Sequence, residues 1–321
     1  TGELLSGVVF ELTAKEDIYS LDGRHTLIYK SGDTVSKDIA QDGLYMTNEL
    51  GEIHISDLPL GQYQLKEVQT LEGYYTNDTV YDIDLSYDCS DKLVYFTSVE
   101  VKNVKSTTEI TKVDATDSKE LEGAKLSLRD KDGNIVEEWV SGKEAHIIRG
   151  LKVNEQYVLH EDLAPIGYAT SSDVSFTVKD NGEVTKVTMK DEITKADISK
   201  VDATTSKELE GAHLSLKDEE GNLIEKWVSG KKPHRITGLT AGKTYVLHED
   251  LAPLGYQTAS DIEFTVMDTG EVQKVIMKDE LKPTIVKTGD DTEIWTIVTL
   301  AGASVLLGIA IVYRIKRKKD E

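Results

Sequence analysis

The sequence predicts an all-β chain: a tandem row of Ig-like antiparallel β-sandwich domains, followed by one C-terminal transmembrane helix. Three observations predict it. One stretch of the chain repeats another at the length of a small domain. The repeated segments read as short alternating strands separated by turns, with no helical periodicity of useful length. A single uncharged apolar run of membrane-spanning length stands close to the C-terminus.

Residues 1–105 form the first predicted domain. It is a divergent relative of the two that follow, carrying LLSGVVFEL, LGQYQLKEVQTLEGYY and VEVKNVK where they carry their own versions. An insertion from Glu16 to Asp42 enlarges it. Residues 106–193 and 194–281 are the second and third domains. Between residues 110–192 and 198–280 the two align without a gap at an offset of 88, with about two thirds of positions identical. ITKVDAT answers ISKVDAT, ELEGAKLSL answers ELEGAHLSL, YVLHEDLAPIGY answers YVLHEDLAPLGY, and VTMKDE answers VIMKDE. Turn signals such as Asp132-Gly133-Asn134 and Glu220-Gly221-Asn222 divide each unit. A unit of ~85 residues with roughly seven strands fits a sandwich. Linkers as short as Ile193 to Asp197 suggest beads on a string.

Side-chain alternation makes an unusual prediction about the two matched cores. Every second residue of a strand faces the same way. Ile110 and Lys112 therefore share a face, as do Ile198 and Lys200. Tyr157, Leu159 and Glu161 share one, as do Tyr245, Leu247 and Glu249; so do Val187, Met189 and Asp191, and Val275, Met277 and Asp279. A lysine, a glutamate and an aspartate thus fall in phase with the apolar side of each unit. Burial of an unpartnered charge is costly, so the three are expected to meet. A buried amine loses basicity and a buried carboxyl loses acidity, which lets a neutral amine and protonated acids coexist in one apolar pocket. A salt-bridged triad and a covalent bond both remain open on these grounds.

This pattern, with the ExxAPxGY stretch at Glu161 to Tyr168 and Glu249 to Tyr256, resembles the Cna B-type (SpaA-like, prealbumin-like) domains of Gram-positive pilins and adhesins. The resemblance covers nearly all of the first 281 residues. It implies an isopeptide bond between a lysine on the first strand and an Asn or Asp on the last, promoted by a nearby glutamate. By position that gives Lys112–Asp191 assisted by Glu161 and Lys200–Asp279 assisted by Glu249. In the first domain Glu67 and Asn103 match the promoting acid and the acceptor. The matching lysine would precede Thr1, on a family strand beginning KxDxxTGE, so this domain is expected to lack its cross-link and its first strand as given.

Residues 282–293 form a spacer that holds Pro283-Thr284-Ile285-Val286-Lys287-Thr288-Gly289. Ile294 to Tyr313 are twenty residues without a charge, which at ~1.5 Å each span the ~30 Å of a bilayer core. Residues 314–321 are a basic tail with Arg314, Lys316, Arg317, Lys318 and Lys319. By the positive-inside bias the tail is cytoplasmic and the domains lie outside. The order of short motif, apolar span and basic tail resembles a sortase sorting signal of the LPxTG type. Ile285 stands for Leu, Val286 for Pro and Lys287 for x, while Thr288 and Gly289 match. That resemblance implies cleavage between Thr288 and Gly289. Val286 departs from the family's proline, which leaves a variant sortase or an unprocessed membrane anchor.

Composition excludes several alternatives. A net charge of -21, from 58 acidic and 37 basic residues, repels phosphate and argues against a nucleic-acid partner. One cysteine, Cys89, excludes an intrachain disulfide and a cysteine-based metal cluster. The Asp130 loop reads as a hairpin turn, since its glycine comes too early for a calcium loop. Residues 238–244 (GLTAGKT) are one residue short of a phosphate loop. His160 and His248 face away from the neighbouring glutamates and have no second histidine four residues on, which excludes a zinc protease motif. Trp139 and Trp227 read as core or shoulder packing.

No metal or cofactor is expected, and no turnover beyond the self-reaction. The expected function is a wall-anchored stalk or pilin subunit at the cell surface. Its partners would be sortase, peptidoglycan or another pilin subunit, and the membrane. Two alternatives stand beside it: an adhesin binding a host or matrix ligand through residues 1–105, and the stalk of a surface enzyme.

Overall fold

A computed structural model of the chain describes residues 2–37, 43–86 and 95–283. The sorting motif (Ile285, Val286, Lys287, Thr288, Gly289), the apolar span, the basic tail and Cys89 lie outside the described residues. Among the described residues no helix is long and apolar enough to cross a membrane.

The described residues are all-β, in three modules. Module one holds β1 (Val9–Ala14), β2 (Ile18–Tyr19), β3 (Leu27–Tyr29), β4 (Leu44–Met46), β5 (Gln62–Gln69), β6 (Tyr74–Tyr75), β7 (Val80–Asp84) and β8 (Val104–Lys105). Module two holds β9 (Thr107–Asp114), β10 (Lys125–Arg129), β11 (Ile135–Val140), β12 (His146–Arg149), β13 (Gln156–Leu163), β14 (Val174–Thr177) and β15 (Thr185–Asp191). Module three repeats that order in β16 (Lys195–Asp202), β17 (His213–Asp218), β18 (Leu223–Val228), β19 (His234–Thr237), β20 (Thr244–Leu251), β21 (Ile262–Thr265) and β22 (Val272–Asp279).

Modules two and three are sandwiches with one topology. A four-stranded sheet in the order β11-β10-β13-β14 faces a three-stranded sheet β12-β9-β15, and β18-β17-β20-β21 faces β19-β16-β22 in the same way. All pairings within them are antiparallel except one per module. First and last strands run side by side in parallel, β9 with β15 and β16 with β22, with Lys112 opposite Met189 and Lys200 opposite Met277. Period-two alternation builds the core between the sheets. Tyr157, Leu159, Val187 and Met189 are buried with Leu126, Leu128 and Ile148. Each such side chain contributes about 1.5–3 kcal/mol by leaving water.

Turn chemistry fixes the hairpins. The Asp130 carboxylate accepts the N–H groups of Asp132 and Asn134, both at 2.9 Å, and Gly133 takes a φ of 84°. Asp218 does the same for Glu220 and Asn222 at 3.0 and 2.8 Å. These local bonds make the Asp130 loop a turn. Trp139 and Trp227 pack against their cores and stack on His146 and His234 at 4.4 and 4.6 Å.

Module one differs. Its β4-β1-β5-β7 sheet matches the four-stranded sheet of the others, with β1 in the place of β10. Among its described residues no strand occupies the place of β9. Part of the insertion that begins at Glu16 folds as the β2-β3 hairpin.

The connections between modules are shorter and tighter than a string of beads. Lys195 and Asp197, assigned to a linker from the sequence, already lie in β16. Thr194 is 1% exposed: its N–H donates to Gly167 O at 3.0 Å, its hydroxyl to Leu239 O at 2.6 Å, and its carbonyl accepts Gly238 N–H at 3.1 Å. Ser106 repeats this at the first junction, bonding Gly73 O, Leu151 O and Gly150 N–H at 2.8, 2.5 and 2.9 Å. A Cβ on Gly167, whose φ is 89°, would stand 2.9 Å from Gly238 O. Only glycine permits that approach. Asp180 and Asp268 complete the junctions by accepting the N–H groups of Thr76 and Thr170 at 2.9 and 2.7 Å.

Candidate functional site

Three strands deliver one ionisable side chain each to the middle of module two. Lys112 comes from β9, Asp191 ends β15 beside it, and Glu161 reaches across from β13 on the facing sheet. Their side chains are 1% exposed or less. The Lys112 amine lies 2.7 Å from Glu161 Oε1 and donates to Asp191 Oδ1. Module three places Lys200 2.9 Å from Glu249 Oε1 and against Asp279 Oδ1, equally buried.

The hydrogen bonding of each triad is incomplete. Glu161 Oε1 and Asp191 Oδ2 have no aligned hydrogen-bond partner, nor do Glu249 Oε1 and Asp279 Oδ2. For Glu161 the separation from Nζ is short but the angle is poor, so the contact is an ion pair without directional bonding. Burial pushes the Asp191 carboxyl up to about 6, against the lowering pull of Lys112. Asp279 is raised for the same reason. Each acid is thus held toward its protonated form while an amine touches it. A salt bridge in such a setting repays little of its desolvation cost, whereas condensation to an amide would remove both charges.

Several contacts around the triads escaped the sequence. Glu120 accepts the backbone N–H of Lys112, and Glu208 that of Lys200, both at 3.2 Å. The ExxAPxGY tyrosines tie to the ends of the first strands: Tyr168 donates to Asp114 and Tyr256 to Asp202, both at 2.8 Å. Burial, then the Asp114 carboxylate, raises Tyr168 to about 12. Ser171 in module two touches all three members of its triad; the matching residue in module three is Ala259. The only trace of this in the sequence is a mismatch between otherwise similar repeats. A cleft of about 410 Å³ lined by Lys112, Glu120, Trp139, Ser141 and His146 opens beside the first triad.

In module one, Glu67 is 1% exposed and accepts Asn103 Nδ2 at 2.7 Å and the Asn77 N–H at 3.2 Å. Glu67 and Asn103 therefore meet, and no lysine joins them among the described residues' hydrogen bonds and ion pairs. His160 and His248 point away from the triads and pair with Asp173 and Asp261 at 2.6 Å.

A family model described as the SpaA prealbumin-like fold domain matches the chain three times, over residues 1–99, 106–193 and 194–281. The chain belongs to that family. Among solved structures, the Bacillus anthracis TIE protein is similar at 24% identity, with 87% of this chain and 48% of that one covered and a TM-score of 0.43. The chain thus spans about half the length of that relative. The shaft pilin SpaA from Lactobacillus rhamnosus GG is similar at 15% identity, covering 56% of this chain and 99% of that one, with a TM-score of 0.27. A streptococcal ancillary pilin is similar at 18% identity over 88% of this chain and 95% of its own, with a TM-score of 0.33. No curated protein matches the chain.

Proposed function

We propose that the chain is a surface stalk or pilin subunit whose second and third modules close themselves with Lys–Asp amide bonds. One observation carries this reading: a buried lysine, glutamate and aspartate from three strands meet twice, 88 positions apart, in the same geometry. In each module the neutral lysine amine attacks the aspartate carboxyl carbon. The glutamate donates a hydrogen bond to the carbonyl oxygen, and the proton that the amine gives up is shuttled to the oxygen that departs as water. The C-terminal motif at Ile285 to Gly289 would be read by sortase, which would transfer Thr288 to peptidoglycan or to another pilin subunit, outside the membrane.

The bond takes the place that disulfides hold in other extracellular domains. Closing a loop this long contributes on the order of 4–5 kcal/mol by the chain-entropy estimate. Intact mass tests the chemistry. Each closed module is lighter by one water, and Glu161→Ala should restore the water of module two alone. A wild-type mass equal to the unmodified sequence would overturn the proposal.

A further inference from the structure

We propose that Ser171 is a further catalytic residue of module two, relaying a proton between the lysine and the departing oxygen. The inference rests on the amide-bond reading above and extends it. Lys112 Nζ donates to Ser171 Oγ at 2.9 Å, and Ser171 Oγ donates to Asp191 Oδ1 at 2.8 Å. Glu161 Oε2 lies 3.2 Å from the same hydroxyl and accepts the Ser171 N–H at 2.7 Å, which fixes the serine backbone against the triad. One oxygen therefore spans the nucleophile and the oxygen that must leave.

Module three lacks this bridge. The Ala259 N–H binds Glu249 Oε2 at 2.7 Å, reproducing the backbone contact, and a methyl group stands where the hydroxyl was. At the matching position of module one, Asn77 makes the same backbone bond to Glu67 and turns its amide away to Tyr81 and Lys102. The backbone role is thus common to all three modules, and the hydroxyl belongs to module two.

The step balances without an added reagent. A bond forms between Lys112 Nζ and the Asp191 carboxyl carbon, and the bond from that carbon to Oδ1 breaks. The amine hydrogen passes to Ser171 Oγ as the hydroxyl hydrogen passes to Oδ1, which already carries the acid proton and leaves as water. Oδ2 remains as the amide oxygen, and the serine is regenerated. In module three Glu249 carries both proton transfers.

The experiment follows both bonds in one full-length chain. Chain quenched into urea before it folds is diluted into buffer at neutral pH, and the tryptic peptides joined through Lys112–Asp191 and Lys200–Asp279 are timed by mass spectrometry. Module two should close faster than module three. Ser171→Ala should slow module two by about tenfold or more, the scale of a lost proton-transfer group, and leave module three unchanged. Ser171→Thr should keep most of the rate, and Ala259→Ser should speed module three.

The bond in module three serves as a folding control for Ser171→Ala, and Ala259→Ser keeps the test alive if that variant misfolds. Rates indifferent to the hydroxyl in both modules would overturn the relay while leaving the bond chemistry standing. Absence of joined peptides from the wild-type chain would overturn the bond chemistry and the relay with it.

Discussion

Asp191 shows how a single residue's environment sets the conditions for the proposed bond. Its usual carboxyl range lies near 3.8, and burial moves it to about 6. The sign is that of a raised acid: the proton is held below about pH 6 and lost as the pH climbs through it. Attack requires the acid protonated and the lysine amine neutral, which is the ion pair with one proton moved across it and the same number of protons in all. Closure of module two should therefore stay level as refolding is moved from pH 6 to pH 8 and slow below about pH 6, approaching about tenfold per unit once an added proton keeps the amine charged. Timed mass spectrometry on both sides of pH 6 checks it, and a rate that falls tenfold per unit above pH 6 would contradict it. At this scale the sequence was informative for strands and silent for loops. Lys112, Glu161 and Asp191 were legible because period-two alternation projects them onto a buried face. Ser171 lies outside any strand, where no period says which way a side chain points. Glu120 was hidden for the same reason.

The elements were largely readable as strands and turns, while the contacts between modules were not. The turn at Asp130 announces itself through a local Asp-x-x-Gly-Asn pattern whose bonds close within four residues. The junction at Thr194 draws on Gly167, Gly238 and Leu239, far apart in the sequence, so a polar connector looked like a flexible one. Its rigidity is testable. Gly167→Ala pushes a methyl group into the Gly238 carbonyl and places a β-carbon at positive φ. The two modules must part there, at a cost of about 1–3 kcal/mol. Amide exchange at Thr194 and Gly238 should accelerate by roughly tenfold or more, since 1.4 kcal/mol is a factor of ten. Thr194→Val leaves the Leu239 carbonyl without its buried donor, worth about 1–3 kcal/mol, and should act in the same direction. Unchanged exchange in both variants would mean that the junction contacts hold nothing together.

For the whole molecule the consequence is mechanical. Tension entering module two at Thr107 travels along β9 only as far as Lys112, crosses the proposed bond to Asp191, and leaves through Thr194 into β16. The 79-residue separation between Lys112 and Asp191 is bypassed. Single-molecule pulling should therefore show no unfolding length from modules two and three of the wild-type chain. In Glu161→Ala the second module should yield, releasing those residues at roughly 3.5 Å each, about 270 Å. A wild-type chain that lengthens by the same steps would exclude a covalent link.

The parallel register of β9 with β15 adds a second safeguard that does not depend on the bond. Pulling on the start of one strand and the end of its neighbour tries to slide them past each other lengthwise. Every rung of the ladder from Thr108–Thr185 to Asp114–Asp191 then resists at once, whereas an antiparallel pair pulled at its open end parts one rung at a time. A module without the proposed bond is accordingly still braced in shear.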